Sequence, residues 1–443
     1  MKLLFRGIFW AGLYVFLVTV PLVVAALSVP RSGSPSLLVD LADGLGYVAL
    51  AMMALELTLV SRTDEAAGAF GLDALLQFHR EVGIGALLLV LVHGVLLLSG
   101  GGYPLAVLGL GPAVPLPVRL GTVSAAATLL LVVLAVTRRR LGTRYETWQL
   151  LHGLLAVTVV GLAAAHVATL GRFAASTPMR VLGALYLVLF LGTLVRYRLL
   201  RPLALRHKPW EVVANLVELG ASRTLVLRPV GHPGFSFQPG QFSWLNVGRT
   251  PFHLEQHPIS MSSGGDVAPG GEVSFTIRDL GDWSGRVVPA LRPGARVWVD
   301  GPYGVFSPDR EEGPGYVLIG GGIGVAPLVS MLETLAGRED RRPVVLLYGT
   351  HRQEDLTLRD RIEALRTRID LHVAYVLENP PPGWTGEAGY VDEAMLRRHL
   401  PRHHARLQYF VCGPPPLMDA MERVLPGLGI AAERIHAERF DMV

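Results

Sequence analysis

Residues 1–206 contain four histidines: His79, His93, His152 and His166. Within each pair the spacing is fourteen residues. Fourteen residues advance an α-helix by ~21 Å and fall ~40° short of four full turns, so each helix shows two imidazoles on one face, near opposite ends. If the two helices cross in the same direction, His79 is level with His152 and His93 with His166. Two bis-histidine sites stacked at two levels are what two b-type haems need. The levels lie too far apart to share one bare ion. Iron with imidazole on both axial positions transfers electrons and does not bind oxygen directly.

A second set of residues suits nucleotides. The run His257, Pro258, Ile259, Ser260, Met261, Ser262, Ser263 offers hydroxyls and backbone amides at a strand end, which can hold a flavin ring and its ribityl chain. Arg278, Gly281, Trp283 and Ser284 follow; arginine suits a pyrophosphate, and glycine lets backbone approach it. The strand "YVLIG" runs into Gly320, Gly321, Gly322, Ile323, Gly324, Val325, Ala326 and Pro327, then a helix. Strand, glycine turn and helix N-terminus form an anion site for a dinucleotide pyrophosphate. Proline is tolerated in the first helical turn, where its missing N–H costs nothing. His351 and Arg352 follow the next strand, "VVLLYGT". Cys412, Gly413 and Pro414 end a later strand, where ligands of open α/β sheets bind.

These residues need two kinds of scaffold. The 443 residues are 51% hydrophobic and 17% charged, against ~25% charged for an average soluble domain. That excludes a disordered chain or coiled coil. A net charge of +4 gives no reason to expect nucleic acid. The single cysteine excludes an internal disulfide and any Cys-based cluster. Apolar runs at 7–29, 44–60, 82–98, 120–137, 153–171 and 181–195 predict six transmembrane helices surrounded by lipid. The first run is longer than a signal-peptide core and is expected to be retained. One set of helix ends carries Lys2, Arg6, Arg62, Arg80, Arg138, Arg139, Arg140, Arg144, Arg196, Arg198, Arg201, Arg206 and Lys208; the other carries Arg31, Arg119, Arg172 and Arg180. Both termini are therefore expected in the cytoplasm. Glu56 falls near the cytoplasmic end of the second helix and reads as an interfacial carboxylate. After Lys208, short alternating runs suggest an antiparallel barrel with five strands, "EVVANLVEL", "RTLVLRPV", "FSWLNV", "VSFTIRDL" and "RVWVDGPYG". An α/β layer of parallel strands follows.

Taken together, the chain resembles the ferric reductase and NADPH oxidase superfamily over essentially its full length. The paired histidines look like its transmembrane domain. "HPISMSS" is similar to its HPFTxSS flavin motif, with Ile259 in place of an aromatic residue. "RDLGDWS" looks like its second flavin motif, in which Arg278 would contact the FAD pyrophosphate. Gly301 of "GPYG", "GGGIGVAP" and "CGPPP" match a ferredoxin-reductase-like nicotinamide domain. Phe440 of "HAERF" corresponds to the aromatic residue that stacks on the flavin.

The resemblance implies three domains: 1–208, a six-helix di-haem membrane bundle; 209–306, an FAD-binding β-barrel; and 307–443, an NAD(P)H-binding α/β domain. It implies a cell-membrane oxidoreductase. NADPH, with NADH as the alternative, would deliver hydride to FAD past Phe440, with Cys412 lining the pocket. Electrons would cross the two haems to an outside acceptor. Oxygen, giving superoxide, is the leading acceptor and ferric iron or a ferric chelate the alternative; a quinone, a haem relay feeding a partner, or a sensor or transporter ranks lower. Arg352 falls one place later than the arginine that commonly reads the 2′-phosphate, with His351 at that place. Leu97 stands where animal oxidases carry a second histidine, so their oxygen-reducing pocket is not reproduced. No calcium-binding loop is visible.

Overall fold

The computed structural model describes residues 2–28, 37–61, 71–100, 108–142, 145–170, 176–248, 250–253 and 255–439. They form two compact units, Met1–Leu200 and Arg201–Val443.

The first unit is six helices: α1 (Lys2–Ser28), α2 (Leu37–Leu59), α3 (Leu72–Gly100), α4 (Leu116–Leu141), α5 (Tyr145–Thr169) and α6 (Thr177–Val195). All six contain a stretch long and apolar enough to cross a membrane. Each helix starts before its apolar run. α3 starts ten residues before the run at 82–98, because polar residues such as Gln77 and Arg80 are tolerated wherever the helix meets water. His79 and His152 lie in those extensions. In lipid every backbone polar group must be satisfied within the helix, so the specific contacts fall to side chains. α2 packs along α3, and α4 along α5.

The second unit begins with a short helix, α7 (Arg201–Arg206), and a barrel. Its strands are β1 (Pro209–Glu218), β2 (Ser222–Pro229), β3 (Phe242–Asn246), β4 (His257–Ser260), β5 (Val273–Arg278) and β6 (Arg296–Tyr303). They pair antiparallel in the order β4-β3-β6-β1-β2-β5. A bridge between Met261 and Phe275 joins the two outer strands and closes the sheet. The strand not expected from the sequence is β4, which is the "HPIS" motif itself. It has only four residues, one a proline, and alternation cannot reveal so short a run. Inside lie Trp210, Leu227, Met261 and Phe275.

A parallel sheet follows, in the order β10-β9-β8-β7-β11-β12. Its strands are β7 (Tyr316–Gly321), β8 (Val344–Thr350), β9 (Leu371–Leu377), β10 (Glu387–Ala388), β11 (Gln408–Gly413) and β12 (Ile435–Arg439). Helices α8 (Val325–Gly337), α9 (Arg359–Leu365), α10 (Glu393–His399) and α11 (Pro415–Gly427) connect them. Leu318, Leu346 and Phe410 face one core, while Val317, Leu347 and Val411 face another. Burial on both faces is why these strands read as continuous apolar runs. β10 and β12 were not expected: one is two residues long, and the other mixes charged and apolar residues.

Contacts inside this unit lock barrel to sheet. Arg361 donates to Ser262 O at 2.6 Å and pairs with Glu333, whose other carboxylate oxygen accepts from Gly264 N at 3.1 Å. Arg338 holds both Asp266 and Asp309. Gly240 sits at φ +93°, and a side chain there would run into Phe306 O and Met331. Gly240→Ala is expected to cost ~3 kcal/mol or more. Differential scanning calorimetry of the full protein should then show the transition of the 201–443 unit lowered by several degrees; an unmoved transition would refute this.

Candidate functional site

In the membrane unit the four histidines meet in pairs. The rings of His79 and His152 lie with centroids 6.3 Å apart at 73°. Two metal–nitrogen bonds of ~2 Å each, plus ~1 Å from nitrogen to centroid on either side, sum to roughly 6 Å. His93 lies near His166, close enough for their charges to interact. Among the described residues no three His, Cys, Asp or Glu side chains converge as ligands for a bare ion. A pair of imidazoles is instead the donor set for the two axial positions of a haem.

The second nitrogen of each ring is as informative. His93 Nδ1 lies 2.7 Å from Ala42 O, and His166 Nδ1 lies 2.7 Å from Pro117 O. His79 Nδ1 contacts the carboxyl of Glu56. Occupying Nδ1 leaves Nε2 as the ligating atom and sets the ring's orientation. The rings of His93 and His166 use the same local device. A glycine lies four residues after the accepting carbonyl, Gly46 after Ala42 and Gly121 after Pro117. A Cβ at Gly46 would come 3.0 Å from His93 Nδ1, and one at Gly121 would come 2.9 Å from His166 Nδ1. The imidazole thus occupies the space of a missing side chain. His152 instead stacks on Trp148, centroids 5.0 Å apart, and Arg138 lies 4.8 Å over the same indole.

In the second unit β7 lies between β8 and β11, so the chain leaves β7 for one side of the sheet and later fills the other. Ligands of open α/β sheets bind at such a switch point. The glycine turn stands there. Gly322 has φ +52°. A Cβ at Gly321 would lie 2.7 Å from Leu417 Cδ2 and Pro414 Cδ, and one at Gly324 would run into Cys412 O. Gly320 packs against Leu328, and Pro327 is buried in the first turn of α8. The turn therefore tolerates only glycine, and its amides stay uncovered by side chains. Arg278, at the end of β5, reaches across to this turn: Nη1 lies 3.2 Å from where a Gly322 Cβ would be, and Nη2 pairs with Asp355 at 3.5 Å.

Barrel motifs converge on the same unit. His257 stacks on Trp283 with centroids 4.0 Å apart at 25°. Ser262 Oγ accepts from Thr276 Oγ1 at 2.8 Å, and Ser263 Oγ accepts from Ser274 N at 3.0 Å. These two hydroxyls tie the motif to β5. Ser260 is buried, and Pro258 and Ile259 pair with Trp244 and Ser243 of β3. Ser284 Oγ accepts from Leu280 N, turning the chain at Gly281, where no atom would meet a Cβ. Gly301 lets β6 pass Ser243, against which a side chain would clash.

The profile of a ferric reductase-like transmembrane component matches residues 45–163. That of an oxidoreductase NAD-binding domain matches residues 318–423. The first profile lies within the unit Met1–Leu200 and the second within the unit Arg201–Val443. The chain thus carries a ferric reductase-like transmembrane component, within a unit of six helices long and apolar enough to cross a membrane, and an oxidoreductase NAD-binding domain. The chain is 32% identical over 167 residues to NADH-cytochrome b5 reductase 1 of Aspergillus terreus, covering 36% of this chain and 56% of that one. It is 33% identical over 211 residues to the xylene/toluene monooxygenase electron transfer component of Pseudomonas putida, covering 46% and 58%. The chain thus spans just over half the length of these relatives. The FAD/NAD-binding domain of a Vibrio cholerae nitric oxide dioxygenase superposes with a TM-score of 0.47 at 22% identity, covering 53% of this chain and 99% of that one.

The sequence reading placed Glu56 without its partner and passed over Glu438. Glu56 is not merely interfacial; it holds a histidine. Glu438 pairs in register with Cys412 across β11 and β12, is 7% exposed, and lies 3.4 Å from where a Gly304 Cβ would be. Its signal was a carboxylate two places before the final aromatic, on a strand whose other residues are exposed or only partly buried. His351 pairs with Glu378 at 2.9 Å, and Arg352 with Glu354 at 3.5 Å. Gly413 packs on Gly321, and Pro414 begins the path into α11. Phe440, like residues 441–443, 62 and 101–107, lies outside the described residues.

Cys412 is fully buried, and burial together with Glu438 pushes its thiol well above the ordinary range. It should therefore stay protonated and inert through pH 9. Iodoacetamide at pH 8 is expected to leave it unlabelled in folded protein and to label it in denaturant; stoichiometric labelling of the folded protein would overturn this.

Proposed function

We propose that this protein carries electrons across the cell membrane, from cytosolic NADPH or NADH to a one-electron acceptor outside, with molecular oxygen giving superoxide as the main product. The soluble unit and both termini are cytoplasmic, as the distribution of basic residues argues. The observation that carries the reading is the pairing of His79 with His152 and of His93 with His166 in a membrane unit fused to an NAD(P)H module.

FAD and two b-type haems, when bound, supply the change from a two-electron donor to single-electron steps, which side chains cannot make. The chain's own residues hold and orient. His79 and His152 would hold the inner haem, and His93 and His166 the outer one, each through Nε2. Gly320, Gly321, Gly322 and Gly324 would present backbone amides to the dinucleotide pyrophosphate at the start of α8. Arg278, already against that turn, would neutralise phosphate charge. His257, Ser260, Trp283 and Ser284 would frame the flavin. Cys412 and Glu438 would line the place where nicotinamide meets flavin, with Phe440 as the residue to be displaced. Cys412 acts by packing, since its thiol stays neutral, and Glu438 is the one buried carboxylate beside it able to fix a polar edge.

The proposed ligation bears on the acceptor. A haem held by two of these histidines would pass single electrons on without binding the acceptor itself. The outer loop 99–119 has one charge, Arg119, and no carboxylates to gather ferric iron. That favours a small neutral acceptor.

Three outcomes test this reading. Cytochrome c reduction by purified protein with FAD and NADPH should fall sharply on adding superoxide dismutase; an unchanged rate would make ferric iron the acceptor. Gly46→Ala or Gly121→Ala should reduce bound haem from two per chain toward one, read as pyridine haemochrome against protein; two haems in both variants would refute the proposed outer site. Carboxylates hold both basic residues at the end of β8, so a 2′-phosphate must displace them. Glu378→Gln should therefore raise kcat/KM for NADPH several-fold relative to NADH, and an unchanged ratio would place the phosphate elsewhere.

A further inference from the structure

The membrane unit anchors its histidines in two chemically different ways. His93 and His166 each present Nδ1 to a main-chain carbonyl, at 2.7 Å. His79 presents Nδ1 to a carboxyl, that of Glu56, which is 14% exposed. Ala42 and Glu56 stand fourteen residues apart on α2, as His79 and His93 do on α3. The helices run antiparallel, so α2 offers each histidine of α3 one acceptor at its own level. The two acceptors differ only in kind. Tyr14 of α1 flanks the same carboxyl.

That difference has a direction. An imidazole bound to metal through Nε2 keeps its proton on Nδ1 and donates it. A carboxylate accepts that bond more strongly than an amide carbonyl does. Drawing the proton away makes the ring more basic and a stronger electron donor to its metal. A stronger donor stabilises oxidised iron and lowers its reduction potential.

We propose that Glu56 is a positioning residue that sets the haem held by His79 and His152 below the other in reduction potential. This rests on the reading that the four histidines hold two haems. An electron entering at the inner level then moves downhill to the outer one, and the asymmetry comes from one side chain on α2. A carboxyl placed there only to satisfy a buried ring nitrogen would predict no such ordering. Leu55 and Leu59 show that apolar residues are otherwise acceptable in this turn of α2.

The test is a spectroelectrochemical titration of the full-length, haem-loaded protein in lipid nanodiscs, followed in the visible haem bands. Wild type should show two midpoint potentials. Glu56→Gln keeps an acceptor of the same shape but removes the charge. It should retain two haems per chain, raise the lower midpoint and leave the upper one in place. The low-spin ferric resonance of one haem should shift with it. Glu56→Asp should keep the lower midpoint closer to wild type than Glu56→Gln does. Two haems with both midpoints unmoved in Glu56→Gln, or a lower midpoint that falls, would overturn the proposal. If Glu56→Gln fails to retain its haem, Glu56→Asp decides alone: a lower midpoint still separated from the upper supports the proposal, and merged midpoints overturn it. Wild type that binds no haem would sink the underlying reading as well, and that outcome is distinct from all the others.

Discussion

A ring nitrogen inside a lipid-embedded bundle needs a partner, because no water is there to supply one. That requirement organises the membrane unit. Each imidazole has two nitrogens, and a metal satisfies only one. Nδ1 of His79, His93 and His166 each meets an acceptor on a neighbouring helix, Glu56 and Ala42 on α2 and Pro117 on α4. Ala42 and Pro117 offer carbonyls that already serve their own helices, and the ring reaches them only because Gly46 and Gly121 leave room. A helix backbone is thereby used as a ligand's support, with no polar side chain added to the apolar interior. At His79 the same need is met by a carboxyl, at the cost of placing an ionisable group in the bundle.

Close approach governs the soluble unit too, in a different currency. The turn after β7 passes so near Cys412, Gly413, Pro414 and Leu417 that side chains at 321 and 324 have no space. The glycines proposed to admit a phosphate are therefore first required by the neighbouring strand. The barrel serves this turn from the other side. β5 ends in Arg278 at the glycine turn, and Arg361 and Arg338 hold barrel and sheet in register. Arginine suits these posts because its planar fork binds two acceptors at once.

Much of this was legible in the chain. The six helices, the histidine pairs and the glycine turn each depend on local composition or on a spacing that helix geometry converts into a shared face. The parallel strands read clearly because both their faces are buried. β4 did not, since four residues with a proline carry no period, although its role as a flavin motif could be recognised by resemblance. Glu438 was passed over because a lone carboxylate among exposed neighbours has no pattern. Glu56 was read as interfacial because its own sequence neighbours, Ser61 and Arg62, are polar.

By itself, then, the sequence determined which residues share a helix face, which segments can enter lipid, and which strand-to-helix turn is built from glycine. Those properties depend on the chain's own periodicity and on the size of a side chain. What the tertiary structure decided is the Nδ1 partner of His79, His93 and His166, the meeting of His257 with Trp283, and the carboxylate beside Cys412. Each of these joins residues far apart in the chain, and no local period encodes which helix or strand will stand opposite another. The choice is made when apolar faces pack, because only then does a buried polar atom find, or lack, something to bond.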